Sequence, residues 1–176
     1  MTEQTAASIR KLSDLVGEIP TIVHIGILVR DLEKTVDFFE TFPGLKFTRF
    51  YNTVFKREWV NGKEIPAGSI RVAKVYIGNI GLEIIAPLEG NPYQKIVLDA
   101  RGEGFHHIAL MFKGKAAEVE EKLRAAGYTP CWSVELQDGR IAHYFAMNGG
   151  NGPVVEIMDD WPSTWPNPNA VDISML

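Results

Sequence analysis

The stretch “HIGIL”, residues 24–28, recurs as “HIALM”, residues 107–111, and this repeat indicates how the chain folds. Each copy has a histidine in front of an apolar run that suits a β-strand. In each copy a small residue, Gly26 or Ala109, stands two places after the histidine. The repeat therefore predicts two equivalent strands that each present one histidine.

A second histidine, His106, directly precedes the second copy. Because strand side chains alternate between two faces, we expect His106 to point away from His107, onto the face of Ile108, Leu110 and Phe112. In that position it is either a structural histidine or an additional ligand, and the structural role is the expected one.

A helical pattern and three strand-like segments follow each copy. The helical segments are residues 30–42, with Asp31 as the expected N-cap, and residues 115–127. The strand-like segments lie at residues 45–51, 68–77 and 80–86 in the first copy and at 128–135, 140–147 and 153–158 in the second. The pattern predicts two tandem βαβββ modules, residues 21–90 and 104–159, in a single domain over residues 21–159.

An isolated carboxylate lies in the last strand of each module, Glu83 in “LEI” and Glu156 in “VEI”. A carboxylate within an apolar strand is costly unless it is paired or bound to a cation. If the modules form one curved sheet around a pseudo-twofold axis, these glutamates meet His24 and His107 in a common cleft. Two imidazoles and two carboxylates suit one divalent ion of Co, Zn, Ni, Mn or Fe, with coordination positions left open.

Composition excludes several function classes. The 176 residues carry a formal charge of −4 with no cluster of Lys and Arg, so nucleic acid is not an expected partner. No apolar stretch approaches the roughly 20 residues of a membrane span, and the N-terminus lacks a signal-peptide pattern, so no membrane association is expected. The single Cys131 has no partner for an internal disulfide and is expected to pack rather than react. These features predict a cytoplasmic protein.

The two ends differ from the repeat. Residues 1–20 are expected to form an N-terminal helical extension, since Ile9, Leu12 and Val16 recur at helical spacing. Residues 160–176 contain three prolines and predict an extended C-terminal tail.

Three segments carry a family resemblance: “HIGILVRDLEKTVDFF” (24–39), “LEIIAPLEG” (82–90) and “RGEGFHHIAL” (101–110). In this order they resemble the vicinal oxygen chelate superfamily, the glyoxalase, bleomycin resistance and dioxygenase proteins, and within it methylmalonyl-CoA epimerase most closely. The resemblance spans about residues 21–159. It implies an α+β, glyoxalase-like fold with a curved, cleft-bearing mixed sheet, and a homodimer.

The resemblance also implies a chemistry: proton transfer on the carbon next to a carbonyl, through an enolate that the metal stabilises. The expected substrate is a small molecule, with an acyl-CoA as the leading class. Glu156 is expected to act both as a ligand and as the base, and Glu64 is the best match for the epimerase's additional catalytic carboxylate. His143, where the family usually has Phe, is expected to be an acid or base, a substrate anchor, or a packing residue.

The segment “NTVFKREWVNGKEIPAG” (52–68) predicts a long loop, in which Trp59 is placed to cover a ligand. Its cationic residues Lys56, Arg57 and Lys63 are expected either to meet phosphates or to form a solvated rim.

Other functions remain open on the same scaffold. A glyoxalase I-like lyase or isomerase uses the same metal and carboxylates. An extradiol dioxygenase usually uses iron with two histidines and one glutamate, which leaves Glu83 without a role. A non-catalytic binding protein of the resistance type is expected to lack a complete ligand set, whereas all four candidates are present here.

Overall fold

The computed structural model describes residues 20–47, 49–88, 90, 92–146 and 153–159. The predicted N-terminal helix and C-terminal tail lie outside these ranges. Within them the elements are, in chain order, β1 Thr21–Leu28, α1 Leu32–Phe39, β2 Arg49–Val54, β3 Arg57–Val60, β4 Lys63–Ile65, β5 Ser69–Ile77, β6 Ile80–Pro87, α2 Pro92–Arg101, β7 Gly104–Met111, α3 Ala116–Ala125, β8 Pro130–Glu135, β9 Ile141–Ala146 and β10 Val154–Met158.

The strands form one mixed sheet in the order β2-β5-β6-β1-β7-β10-β9-β8-β3-β4. The first strands of the two modules, β1 and β7, pair antiparallel at its centre. Each of them also pairs in parallel with the last strand of its own module, β1 with β6 and β7 with β10. The prediction of an α+β fold with two βαβββ modules in a curved mixed sheet is therefore confirmed.

The segment predicted as a long loop contains two strands instead. β3 and β4 form a hairpin, with the turn residue Asn61 at φ 50°, and β3 pairs with β8 at the far edge of the second module. Only Phe55 and Lys56 separate β2, at one end of the strand order, from β3 near the other. Because three peptide steps span at most about 11 Å, the sheet must curl until its two edges approach each other.

The two faces of the sheet have separate cores. On the convex face α1 packs over strands of the first module, and Asp31 caps it by accepting a hydrogen bond from the Lys34 amide at 2.9 Å. On the same face α3 packs against Phe145 and Ile157 of the second module. Because side chains alternate between the two faces along each strand, a third cluster lies on the concave face. It includes Leu28, Val72, Ile85, Trp132, Tyr144 and Val154.

The concave cluster also contains Tyr93 of helix α2, a helix that was not predicted from the sequence. The Tyr93 ring stacks on Trp132 with ring centroids 4.8 Å apart. Cys131 is buried beside them, and its Sγ lies 3.2 Å from the Tyr144 carbonyl oxygen. This environment agrees with the predicted packing role of the thiol, whose pKa burial raises.

A fully buried carboxylate, Glu58, fixes the hairpin to the sheet. It accepts hydrogen bonds from the indole N–H of Trp132 at 2.8 Å and from the amide of Gly68 at 3.1 Å. Burial raises the pKa of Glu58, and these two donors oppose the rise.

Candidate metal centre

Four side chains meet on the concave face where the two modules join. His24 and His107 come from the central strands β1 and β7, and Glu83 and Glu156 come from the flanking strands β6 and β10. All four are buried. The parallel pairings place Glu83 beside Gly26 and Glu156 beside Ala109. Across the central pair of strands, Gly26 is opposite His107 and Ala109 is opposite His24, so each small residue lies between the glutamate of its own module and the histidine of the other.

The polar atoms converge tightly. The Nε2 atoms of His24 and His107 are 2.7 Å apart. Oε2 of Glu83 lies 3.3 Å from the His24 nitrogen and 3.5 Å from the His107 nitrogen, and Oε2 of Glu156 lies 3.2 and 3.5 Å from the same two atoms. The structure therefore brings together the four residues that the repeat predicts as ligands.

The geometry and chemistry of this set fit a divalent ion. Neighbouring ligands at 2.0–2.2 Å from an octahedral ion stand about 3.0 Å apart, and the separations here lie on both sides of that value. Among the described residues, the potential ligand atoms of His24, Glu83 and His107 lie within 4.8 Å of one another.

The electrostatics of the site favour positive charge. Burial alone would lower the pKa of His24, but Glu83 and Glu156 outweigh it and raise that pKa. Burial pushes the pKa of Glu83 upward, yet the charges of Lys74 and His24 hold it well below its usual value. Glu156 likewise has a lowered pKa in spite of burial, mainly because His24 hydrogen-bonds to it. Two ionised carboxylates therefore face the space between the imidazoles.

A buried lysine supports one of these carboxylates. Lys74 of β5 pairs in register with Glu83, and its Nζ lies 2.7 Å from Oε1, the oxygen that the two histidines do not contact. Its exposed fraction is 1%, which is rare for lysine unless a partner compensates the charge. Lys74 was not among the site residues predicted from the sequence. Its signal was a lysine inside the apolar strand “SIRVAKVYI”, at an inward position.

The predicted orientation of His106 is wrong. A bulge interrupts the pairing of β1 with β7: Gly26 pairs with His107 and Ile27 with Phe105, which leaves His106 as the extra residue. A bulge re-aims side chains, so His106 shares the concave face with its neighbour. Its Nδ1 lies 2.9 Å from Nδ1 of His107.

Aromatic rings enclose His106. Tyr93 and Trp132 contact it edge-on, with centroid distances of 6.1 and 6.4 Å. Burial, together with the charge of His107, lowers the pKa of His106 to about 3. The ring is therefore neutral.

Gly26 makes room for the imidazole of His107. A Cβ atom at this position would lie only 2.2 Å from Cε1 and 2.4 Å from Nδ1 of His107. On the other side of the ring, Tyr144 packs edge-on with a centroid distance of 5.6 Å. Tyr144 also hydrogen-bonds to Glu156, and burial together with the two site carboxylates raises its pKa well above the usual value. The phenol therefore stays protonated and donates to the carboxylate.

Two other predicted site residues lie elsewhere in the fold. His143 precedes the inward-facing Tyr144 on β9 and points to the convex side, where its Nε2 lies 3.4 Å from Glu120 of α3 and its Nδ1 lies 2.7 Å from Ser133 Oγ. Glu64 lies on β4, the outermost strand, and is paired with Arg57 at 2.7 Å. Both are therefore apart from the four converging residues, and their catalytic roles stay predictions.

Trp59, the residue predicted to cover a ligand, lies on the hairpin, on the side of the sheet that His143 faces and away from the four converging residues. The guanidinium of Arg57 lies 4.6 Å from the centroid of the Trp59 ring. Trp59 also lines a pocket of about 350 Å³ together with His143 and Arg124. Lys56 pairs with Glu135 at 2.5 Å. Of the predicted cationic rim, Lys56 and Arg57 thus already have carboxylate partners.

Comparison with known proteins identifies the family of the chain. The sequence profile of the Glyoxalase/Bleomycin resistance protein/Dioxygenase superfamily matches residues 23–146, well over half of the sequence. The chain belongs to this superfamily. The chain is also similar to the uncharacterized protein YqjC of Bacillus subtilis (strain 168), with 28% identity over 88 residues. The matched part is 50% of this chain and 54% of YqjC, so the chain spans about half the length of that relative.

Solved structures share the superfamily fold. A hypothetical protein from Bacillus halodurans C-125 has a TM-score of 0.62 at 20% identity, covering 85% of this chain and 100% of that one. Methylmalonyl-CoA epimerase from Mycobacterium tuberculosis has a TM-score of 0.59 at 19% identity, covering 80% and 88%. A variant of the Streptomyces coelicolor epimerase in complex with 2-nitronate-propionyl-CoA has a TM-score of 0.58 at 21% identity, covering 85% and 100%. At these identities the likeness concerns the fold. None of the described helices is long and apolar enough to cross a membrane.

Proposed function

We propose that the chain is a metal-dependent epimerase or isomerase that transfers a proton on the carbon next to a carbonyl. The observation that carries this proposal is a convergence on the concave face: the two imidazole nitrogens are 2.7 Å apart, and one oxygen of each carboxylate lies 3.2–3.5 Å from both nitrogens. His24, Glu83, His107 and Glu156 would hold one divalent ion. When bound, such an ion polarises a carbonyl oxygen and stabilises the negative charge of an enolate.

The charge of the site points to an anionic substrate. With neutral imidazoles, the two carboxylates balance a divalent ion, and the buried ammonium of Lys74 leaves one positive charge in excess. In a buried site this charge favours a ligand that carries or develops negative charge. An acyl-CoA with a carboxylate next to the reacting carbon meets this requirement, and two of the structural neighbours named above are epimerases that act on such a compound, methylmalonyl-CoA.

Glu156 is the proposed base. It is ionised because His24 lowers its pKa, and it lies at the junction of the modules, where the substrate would meet the ion. The Tyr144 hydroxyl orients this carboxylate by donating a hydrogen bond. A second group must return the proton from the opposite side of the substrate. Because His143 points to the convex face, Glu64 is the proposed candidate.

The experiment is exchange of the substrate's proton with solvent. The metal-loaded protein is incubated with methylmalonyl-CoA in D₂O, and incorporation of deuterium is followed by mass spectrometry. Glu156→Gln keeps an oxygen ligand but removes the base, so we expect retained metal and an exchange rate at least about 100-fold lower. Glu64→Gln tests the proton donor when epimerisation is followed beside exchange, because loss of the donor removes epimerisation and leaves the base in place. His143→Gln, on the convex face, is the matched control. Absence of exchange by the metal-loaded wild type would refute the epimerase proposal.

A glyoxalase I-like reaction is the second candidate. The observation that favours it is Glu83, because a carboxylate at this ligand position resembles glyoxalases, whereas epimerases often have an amide there. The substrate is then the adduct of an aldehyde and a thiol, within which the same groups move a proton. Turnover of the methylglyoxal–glutathione adduct, without deuterium exchange into methylmalonyl-CoA, would select this reaction.

A further inference from the structure

The bulge at His106 places two consecutive histidines on one face of β7. In a regular strand, the neighbour of His107 would point to the convex side and leave the concave face to His107 alone. Here the two Nδ1 atoms face each other at 2.9 Å, and the rings are nearly perpendicular, with an interplanar angle of 83°. One of these nitrogens must therefore carry the proton that the other accepts.

The position of His107 determines the direction of this hydrogen bond. Its Nε2 points at the other three members of the cluster. A nitrogen that binds a metal must be unprotonated, so the proton of a neutral His107 lies on Nδ1. His107 then donates and His106 accepts, which places the proton of the neutral His106 on its own Nε2.

The second ring nitrogen of His106, Nε2, indicates that this residue lowers the stability of the fold. Among the described residues, the buried Nε2 of His106 has no hydrogen-bond partner. A buried polar group in this state is unfavourable, whereas an apolar ring of similar size would fit the aromatic contacts of Tyr93 and Trp132 without that cost. Packing therefore does not account for a histidine at this position, but the acceptor on Nδ1 does.

We propose that His106 is a positioning residue that accepts a hydrogen bond from Nδ1–H of His107 and thereby keeps the Nε2 lone pair of His107 directed at the metal. The inference rests on the metal-binding function proposed above. Outer partners of this kind fix the tautomer and the ring orientation of a ligating histidine, and their loss typically weakens metal binding by 10–100-fold.

Three substitutions separate this role from packing. His106→Asn places an amide oxygen near the position of Nδ1, His106→Gln places it near that of Nε2, and His106→Phe keeps the ring without an acceptor. Zn²⁺ affinity is measured by competition with a chelator, and stability of the metal-free chain is measured by urea unfolding. We expect His106→Phe and His106→Gln to lose about 10–100-fold in affinity, while His106→Asn stays within a few-fold of the wild type.

A purely structural role predicts the opposite order. In that case His106→Phe binds as tightly as the wild type and His106→Asn, which leaves a cavity, is the weakest. Either of these results would overturn the inference. The proposed function would still stand if the wild-type chain binds zinc. A wild-type chain that takes up no zinc would overturn both.

A measurement on the wild type avoids dependence on how the variants fold. In the zinc-loaded, ¹⁵N-labelled chain, long-range ¹H–¹⁵N spectra report which nitrogen of each imidazole carries a proton. We expect protonated Nδ1 in His107 and unprotonated Nδ1 in His106. The reverse assignment in either ring would refute the proposal.

Discussion

Replacing Gly26 with alanine is expected to disable the candidate metal centre with one methyl group. The new Cβ would lie 2.2 Å from Cε1, 2.4 Å from Nδ1 and 2.8 Å from Nε2 of His107. Carbon atoms in contact are normally 3.5–4.0 Å apart, so the imidazole must retreat by roughly 1.3 Å or more. Since metal–ligand distances tolerate only about 0.2 Å, a shift of this size removes His107 from the ligand set.

Two quantities follow from this displacement. Overpacking of this kind typically costs about 1–3 kcal/mol of unfolding free energy, measured by urea unfolding of the metal-free chain. Zn²⁺ affinity should fall by more than about 100-fold, because loss of a ligand exceeds the loss of an outer partner. The matched control is Ala109→Gly, which removes a methyl group from the corresponding position of the other module and should keep the affinity within a few-fold.

A double-mutant cycle with His107→Ala identifies the cause. If the clash with the imidazole is responsible, Gly26→Ala costs stability in the wild-type background but little once the ring is absent. Wild-type zinc affinity and stability in Gly26→Ala would refute the reasoning. An equal cost in both backgrounds would place the fault in the backbone of β1 instead.

Three further outcomes are expected. Lys74→Met should lower the unfolding free energy of the metal-free chain by about 3–5 kcal/mol, because it leaves Oε1 of the buried Glu83 carboxylate without its cationic partner. The added change Glu83→Gln should recover much of this loss in urea unfolding. Glu58→Gln should change the pH dependence of stability. Because the folded pKa of Glu58 is raised above 4.5, its contribution to stability is present at low pH and is lost as pH rises from about 4.5 through the folded pKa. The slope of this loss is at most about 1.4 kcal/mol per pH unit. Urea unfolding at several pH values should therefore show the variant gaining on the wild type over this range, and a constant difference would contradict it. His107→Ala should abolish zinc uptake in a chelator competition while His143→Ala retains it, and equal loss in both would show that the convex-side histidine belongs to the site.

Much of the fold and the four converging residues could be predicted because the sequence is duplicated. One histidine in an apolar strand says little, but His24 and His107 stand at the same position in two modules, and so do Glu83 and Glu156. Two modules related by a pseudo-twofold axis then predicted one common cleft for all four, and the structure brings them together. The small residue after each histidine was visible as a pattern. Only the structure shows why Gly26 must lack a side chain.

Features that depend on pairing between distant strands could not be predicted. The bulge at His106 arises where β7 meets β1, and local alternation alone gave the wrong face. Lys74 is explained only by its cross-strand partner Glu83, nine residues away along the chain. The segment containing Trp59 has the sequence pattern of a loop, and it forms a hairpin because β3 pairs with β8.

The division of the site between modules links metal binding to the central pairing of β1 with β7. Each module supplies one imidazole and one carboxylate, and a pair of ligands is too few to hold an ion firmly. The imidazoles come within 2.7 Å only because the two strands pair antiparallel in this register. A one-residue slip would turn one histidine to the convex face. Since the proposed ion requires the correct register, its binding should stabilise the paired modules by mass action, and the unfolding free energy should rise with the concentration of free zinc.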